Sequence, residues 1–445
     1  MHHPIRAASK SWLALLIAVV LTAAVTGGIV PAHAATGSLV FSAIAVLERN
    51  YVDQIHPTEL LNAAIATLRR QTHAGPGVLP DIPAGTGTTE AEQQFLAEFD
   101  RAVQTGVEPQ DQLAYDATAG MLASLHDSHV YYMDPTRFQE NRQSLNGNPG
   151  FSGIGIMITG ETDASGTHWV FVDNVFPGSP AEAAGLKRFD KIIAVGGTSL
   201  RDATVQQASQ LIRGPAGSPV ALTIERAGQA QQITVTRASI QTHPVTAQFI
   251  EPGVVYVRLF EFSKGAARDM RTQLLGLAEQ GQIRSVILDL RGNPGGLISE
   301  ADGVAGLFLT NGSPIARVVD RESSSLLRTM GPSPFAQVPL VVLTNAGSAS
   351  GSEIVTGAFK DLHRAQIIGE KTAGALGGAI DVALPEGGMS VTVERITTPG
   401  GHVVEAVGIS PDVAVPLGEA DMEQGVDPQL QAAIRAAGAV GFQTP

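Results

Sequence analysis

Three serines alternate through Ser348-Ala349-Ser350-Gly351-Ser352-Glu353, after the apolar run Val338 to Leu343 and before a helical stretch reaching toward Asp361. A serine at such a strand-to-helix turn meets the partial positive charge of aligned peptide dipoles, and unpaired N–H groups there can hold a developing oxyanion. That is the chemistry of a serine nucleophile. The same residues also fit a capping box, because Ser350 and Glu353 have S-x-x-E spacing and would then satisfy only backbone donors. Helical positions two apart point about 200° away from each other, so at most one of Ser350 and Ser352 faces a given site.

A serine hydroxyl is a weak nucleophile near neutral pH and needs a base within hydrogen-bond reach. The residues that could serve stand far away in sequence: His129 in Leu125-His126-Asp127-Ser128-His129, Glu405 in Glu405-Ala406-Val407-Gly408-Ile409-Ser410-Pro411, and Lys371 just before Thr372. A further run, Asp289-Leu290-Arg291-Gly292-Asn293-Pro294-Gly295-Gly296, has the glycines that let another chain approach its backbone.

Taken in order with Gly408-Ile409-Ser410-Pro411-Asp412, these runs resemble the C-terminal processing (tail-specific) peptidases. The resemblance covers nearly all of the chain after residue 34. It implies Ser350 as nucleophile, with oxyanion donors at Gly351 and at the Gly295-Gly296 turn, and Arg291 and Asn293 bracing that turn. The best-known members use a lysine base inside T-F-G-K-G, with a glutamine four residues on. Here Thr372-Ala373-Gly374-Ala375-Leu376-Gly377-Gly378-Ala379 has alanine at both places, Ala375 and Ala379. Lys371 lies four positions early. A second branch, that of the tricorn core protease, uses Ser-His-Glu, and its motifs correspond to His129 as base and Glu405 as the residue that orients it. Two rivals stay open at this point: a Ser350–Lys371 dyad, and a protein-binding pseudoenzyme that keeps the fold.

The elements that must position these residues fall into segments. Apolar residues recur at helical spacing from Ser38 to Arg70, broken at His56-Pro57, and further helices are expected from Thr89 to Val103 and from Leu113 to Leu125. Residues 35–149 thus form an expected N-terminal helical region. Residues 150–240 carry short β-rich runs between Gly, Pro and Asp turns. They resemble a PDZ domain through Gly153-Ile154-Gly155-Ile156, Gly178-Ser179-Pro180-Ala181 and Gly185 to Ile192. That resemblance implies that Gly153, Ile154, Gly155 and Ile156 bind the terminal carboxylate of a polypeptide substrate, its last strand adding to a sheet edge. From residue 241 to 445 strands and helices alternate, which argues an α/β peptidase core with a largely parallel central sheet. The runs Ile380 to Leu384, Ser390 to Arg395 and His402 to Glu405 are expected as antiparallel C-terminal strands.

Residues 1–34 read as a signal peptide: Arg6 and Lys10, an apolar run from Leu13 to Val30, then Ala32-His33-Ala34 before Ala35. The expected location is exported, periplasmic or extracellular, or membrane-anchored if that segment is not cleaved. Cysteine is absent from the 445 residues, which excludes disulfides, thiolate metal sites and a thiol nucleophile. The net charge of −13, without a basic run, argues against nucleic acid as partner. No cofactor and no metal are expected.

Overall fold

Strands Ser285–Asp289 and Leu340–Thr344 are buried at every residue, and their near-continuous apolar runs follow from lying in a sheet covered on both faces. In the computed structural model, which describes residues 36–146, 151–163, 165–240 and 243–440, they form the centre of a six-stranded sheet. The expected signal segment lies outside the described residues. Every pairing in that sheet is parallel except the edge pair Val245–Glu251 with Val254–Leu259. Alternate side chains go to opposite faces. Val286 and Leu288 pack with helices Ala266–Gln280, Ile298–Phe308 and Gly351–Asp361, whereas Ile287 packs with the last helix, Pro428–Val440. In such sheets sites form at the carboxyl ends of strands. The register Asp289↔Leu343 brings the turn after one central strand beside the serine run after the other.

The helical cap consists of Ser38–Asn50, Pro57–Thr72, Thr88–Gln104 and Gln110–Ala123. Leu47, Leu61, Ile65 and Leu68 are fully buried there, each worth roughly 1.5–3 kcal/mol relative to exposure. Their cluster includes Val130, Tyr132, Met389 and Val391, so the cap holds the strand Tyr131–Met133 against Gly388–Thr397. The loop bearing His129 is fixed by that contact. A helix at Pro135–Leu145, unexpected from the sequence, starts at Asp134, whose side chain accepts from the N–H groups of Thr136 and Arg137.

The PDZ-like part has a six-stranded antiparallel sheet and helices Pro180–Ala183 and Val205–Ile212. Ion pairs fasten it to the core. Arg258 reaches Asp173 at 2.6 Å, Arg188 reaches Asp427 at 2.6 Å, and Arg291 joins Asp289 at 2.6 Å and Asp427 at 3.0 Å. On the other side Lys191 holds Glu419 at 2.6 Å and Glu423 at 3.2 Å. The fold is therefore α/β, with the expected helical cap, PDZ-like insertion and parallel-sheet core.

One expected strand is different. Gly377–Ala383 and Gly388–Thr397 pair antiparallel, in a second sheet with the hairpin Pro314–Val319 and Ser324–Arg328. Residues 402–405, however, make only a single bridge, Thr397↔Val403, and Glu405 opens a turn. Ala406 has φ 57°, a left-handed conformation that cannot continue a strand.

Candidate active site

The three serines separate by what their hydroxyls do. Ser348 is buried and its Oγ donates to Leu290 O at 2.8 Å; Ser352 is buried and donates to Asn293 O at 3.0 Å. Ser350 is half-buried and its hydroxyl makes no capping bond. The Glu353 N–H bonds instead to the Ser350 carbonyl at 2.8 Å, so only the carboxylate half of the S-x-x-E pair is made, with Ser350 N–H donating to Glu353 Oε2 at 3.2 Å. Ser350 has φ 50° and ψ −111°. A non-glycine residue there is strained, and such strain recurs where a sharp strand-to-helix turn lifts a side chain out of the backbone.

The glycine-rich turn lies directly against this residue. A Cβ on Gly295 would stand 2.6 Å from Ser350 Cβ and 2.7 Å from Gly351 N, and Gly295 has φ 101°. Only glycine fits. Asn293 and Arg291 brace the turn: Asn293 Nδ2 donates to Leu259 O, its Oδ1 accepts from Gly295 N–H at 2.9 Å, and Arg291 grips Asp289. Gly295 N–H is thereby committed. The amides of Gly351 and Gly296 make no hydrogen bond among the described residues.

His129 and Glu405, 276 positions apart in sequence, lie together through Ser128. Ser128 Oγ lies 3.1 Å from His129 Nδ1 and donates to Glu405 Oε1 at 3.0 Å. A hydroxyl has one proton. Because the Ser128 proton goes to the carboxylate, its oxygen is left to accept from Nδ1–H, and a neutral imidazole bonded in that way has its other nitrogen, Nε2, as the acceptor. Glu405 Oε2 also accepts from Leu376 N–H at 2.6 Å. Asp127, which the sequence reading did not single out, holds the loop: its buried carboxylate accepts from His129 N–H, Thr392 Oγ1, Tyr51 OH and Arg395. Burial, with Asp127 close by, pushes the Tyr51 hydroxyl up to about 12, so it remains a donor. The signal for Asp127 was its place two residues before His129, where a carboxylate can reach back to a backbone N–H. Asp127, His129 and Glu405 present ligand atoms within 4.8 Å of one another, a spacing that a cation could bridge. Asp127 is already saturated by its four donors.

Residues 372–377 connect the two halves. Ser350 N–H also donates to Ala375 O at 2.8 Å, and a Cβ on Gly377 would lie 3.1 Å from His129 Nδ1. Two extended residues span about 6–7 Å, so serine and histidine border the same short segment. Glu353 anchors that segment, accepting from Thr372 Oγ1 at 2.6 Å, Gly374 N–H at 2.8 Å and Ala375 N–H at 2.9 Å. Burial raises the Glu353 carboxyl above its ordinary value, and these three donors together with Ser350 N–H oppose the rise. Lys371 is exposed, with its Cε beside Gly408.

A cleft of about 470 Å³ reaches from the Gly153–Ile156 loop to Pro294 at the glycine turn, walled by Tyr131, Met133 and Phe260. Gly155 has φ 82°, and a Cβ there would meet Ser179 Cβ at 2.3 Å. The N–H groups of Ile154 and Gly155 are unengaged among the described residues.

Peptidase family S41 matches residues 253–415, and the PDZ domain family matches residues 143–225. The carboxyl-terminal-processing protease of Picosynechococcus sp. is 36% identical over 332 residues, 72% of this chain and 78% of its own length. That of Synechocystis sp. is also 36% identical, over 72% of this chain and 76% of its own length. Among solved structures, the photosystem II D1 C-terminal processing protease is similar at a TM-score of 0.53 with 28% identity, over 90% of this chain and 97% of its own. With relatives this similar over most of both chains, and with a serine mounted as described, the chain belongs to the carboxyl-terminal-processing serine peptidases of family S41.

Proposed function

We propose that the protein is an exported endopeptidase that cleaves unstructured polypeptides through an acyl-enzyme on Ser350, with His129 as base and Glu405 orienting it through Ser128. The observation that carries this reading is the Ser128 hydroxyl between Glu405 Oε1 at 3.0 Å and His129 Nδ1 at 3.1 Å, an arrangement in which a neutral imidazole carries its proton on Nδ1 and offers Nε2 as the base. In acylation Ser350 Oγ attacks the substrate carbonyl carbon as Nε2 takes the hydroxyl proton. The oxyanion meets the amides of Gly351 and Gly296. Nε2 then returns the proton to the leaving amine, and water resolves the ester by the reverse transfers. Glu405 stabilises the transient imidazolium through the Ser128 hydroxyl.

A serine-directed fluorophosphonate tests this reading. It should add one label, on Ser350, in the wild type and none in Ser350→Ala, with casein hydrolysis lost in parallel. A folded protein that takes no label and cleaves no casein would be a binding protein instead. The same reading has residues 1–34 removed on export; an intact mass starting far from Ala35 in the exported fraction would contradict it.

The PDZ-like loop receives a free C-terminal carboxylate in this reading, which is supported by the unengaged amides of Ile154 and Gly155. Full-length Ser350→Ala should bind a fluorescent apolar peptide acid more tightly than its C-terminal amide. Equal affinity would remove that role.

A further inference from the structure

Glu261 is an acid in the cleft that the proposed chemistry does not use. It follows strand Val254–Leu259 and precedes Phe262, whose N–H donates to Gly295 O at 2.8 Å and whose ring lies against Gly351. Side chains alternate along extended chain. Phe262 is fully buried, and Glu261 lies on the wall of the 470 Å³ cleft, along with Pro294, Met133 and Ile156.

The Glu261 carboxylate accepts a hydrogen bond from Ser144 Oγ at 2.7 Å, and no arginine, lysine or histidine among the described residues pairs with it. Burial raises its carboxyl above the ordinary value, which the Ser144 bond opposes. A partly buried acid without a counter-ion is uncommon, because its desolvation goes uncompensated. Glu140, another acid on this cleft, is paired with Arg213 at 3.2 Å. The cleft that Glu261 lines has apolar wall residues, Phe260, Met133, Ile156 and Pro294, beside polar ones that include Arg137, Arg213 and His243. The apolar part of that wall suits the aliphatic stem of a long basic side chain, leaving its charged head for the carboxylate.

We propose that Glu261 determines specificity: its carboxylate receives a lysine or arginine side chain of the bound polypeptide, close to the scissile bond. Proximity follows from Pro294, which lines the same cleft as Glu261 and directly precedes Gly295, the residue packed against Ser350. The proposal rests on the peptidase reading above and names a substrate class for it.

The test uses the full-length enzyme and unstructured peptides that differ by a single Lys, Leu or Glu at successive positions around a mapped cleavage site. At one position Lys should exceed Leu in kcat/KM by about tenfold, as expected for a charge-assisted hydrogen bond. Glu261→Gln should bring that ratio to about one, and Glu261→Lys should reverse it in favour of Glu at the same position. Ratios within one variant are insensitive to changes in active fraction, and thermal unfolding checks that both variants fold. Retention of the lysine preference in Glu261→Gln, or cleavage by the wild type without preference at any position, would overturn the proposal and leave the peptidase reading intact. If no peptide is cleaved and Ser350 takes no fluorophosphonate, the peptidase reading itself fails and the specificity falls with it.

Discussion

At the scale of single residues, the Ser128 hydroxyl lies between His129 and Glu405. A direct His–carboxylate pair would orient the ring by one bond; here the orientation passes through a hydroxyl that can donate once, and it donates to Glu405. Residues acting as a unit are non-additive. Ser350→Ala, His129→Ala and the double mutant should therefore fall to about the same residual rate on casein, while Lys371→Ala keeps most of its activity. Ser128→Ala should lower kcat by about tenfold to a hundredfold, the effect of one lost hydrogen bond worth ~1–3 kcal/mol, with KM little changed. A near wild-type kcat for folded Ser128→Ala would show that Glu405 orients His129 without it. An inactive Lys371→Ala beside an active His129→Ala would restore the lysine dyad.

At the scale of elements, helix Gly351–Asp361 and the segment 372–377 are joined by one side chain. Glu353 is fully buried and accepts from Ser350, Thr372, Gly374 and Ala375. Glu353→Gln keeps the shape but exchanges one acceptor oxygen for a donor NH₂. The two donors that met that oxygen then lose their partner, at about 1–3 kcal/mol each. The midpoint of thermal unfolding should drop, and fluorophosphonate labelling of Ser350 should slow, because Ser350 N–H and Ala375 are held by the same carboxylate. Unchanged labelling in a destabilised Glu353→Gln would mean that the segment positions nothing at the serine.

At the scale of the whole molecule, a buried ionic network spans the PDZ-like part, the central sheet and the last helix. Burial alone would raise the Asp427 carboxyl, but Arg291 and Arg188 hold it below the ordinary range. For Asp289 too, burial acts upward, and Arg291 and Arg258 hold it far lower. A carboxylate depressed in the folded state contributes stability above its unfolded value, about 3.9, and loses it as pH falls through the lower folded value. Unfolding midpoints should therefore fall steeply below about pH 4. Asp427→Asn removes a carboxylate that both Arg188 and Arg291 meet, leaving Arg188 with Asp173 at 3.6 Å and Arg291 with Asp289, which should cost roughly 3 kcal/mol at neutral pH and make the acid dependence shallower. A neutral-pH midpoint equal to wild type would show that the other carboxylates suffice.

Much of this architecture follows from local pattern. The boundaries Gly351–Asp361 and Val254–Leu259 are legible because apolar period, caps and glycines agree there, and glycine at 295 marks a close approach whatever approaches it. The absence of a lysine at 375 is likewise a property of the sequence. Tertiary structure alone decided the rest. Residues 402–405 carry the β-branched pair Val403-Val404, yet close packing against Gly374 turns the chain at Ala406, whose N–H bonds to Gly374 O at 2.7 Å. Residues 128, 350, 375 and 405 are brought together by the cap, by sheet register and by Glu353. Hydrogen-bond direction depends on which partners meet, so the Ser350 hydroxyl without a partner among the described residues, the Gly295 amide taken by Asn293 and the Ser128 bridge had no signature in residue order.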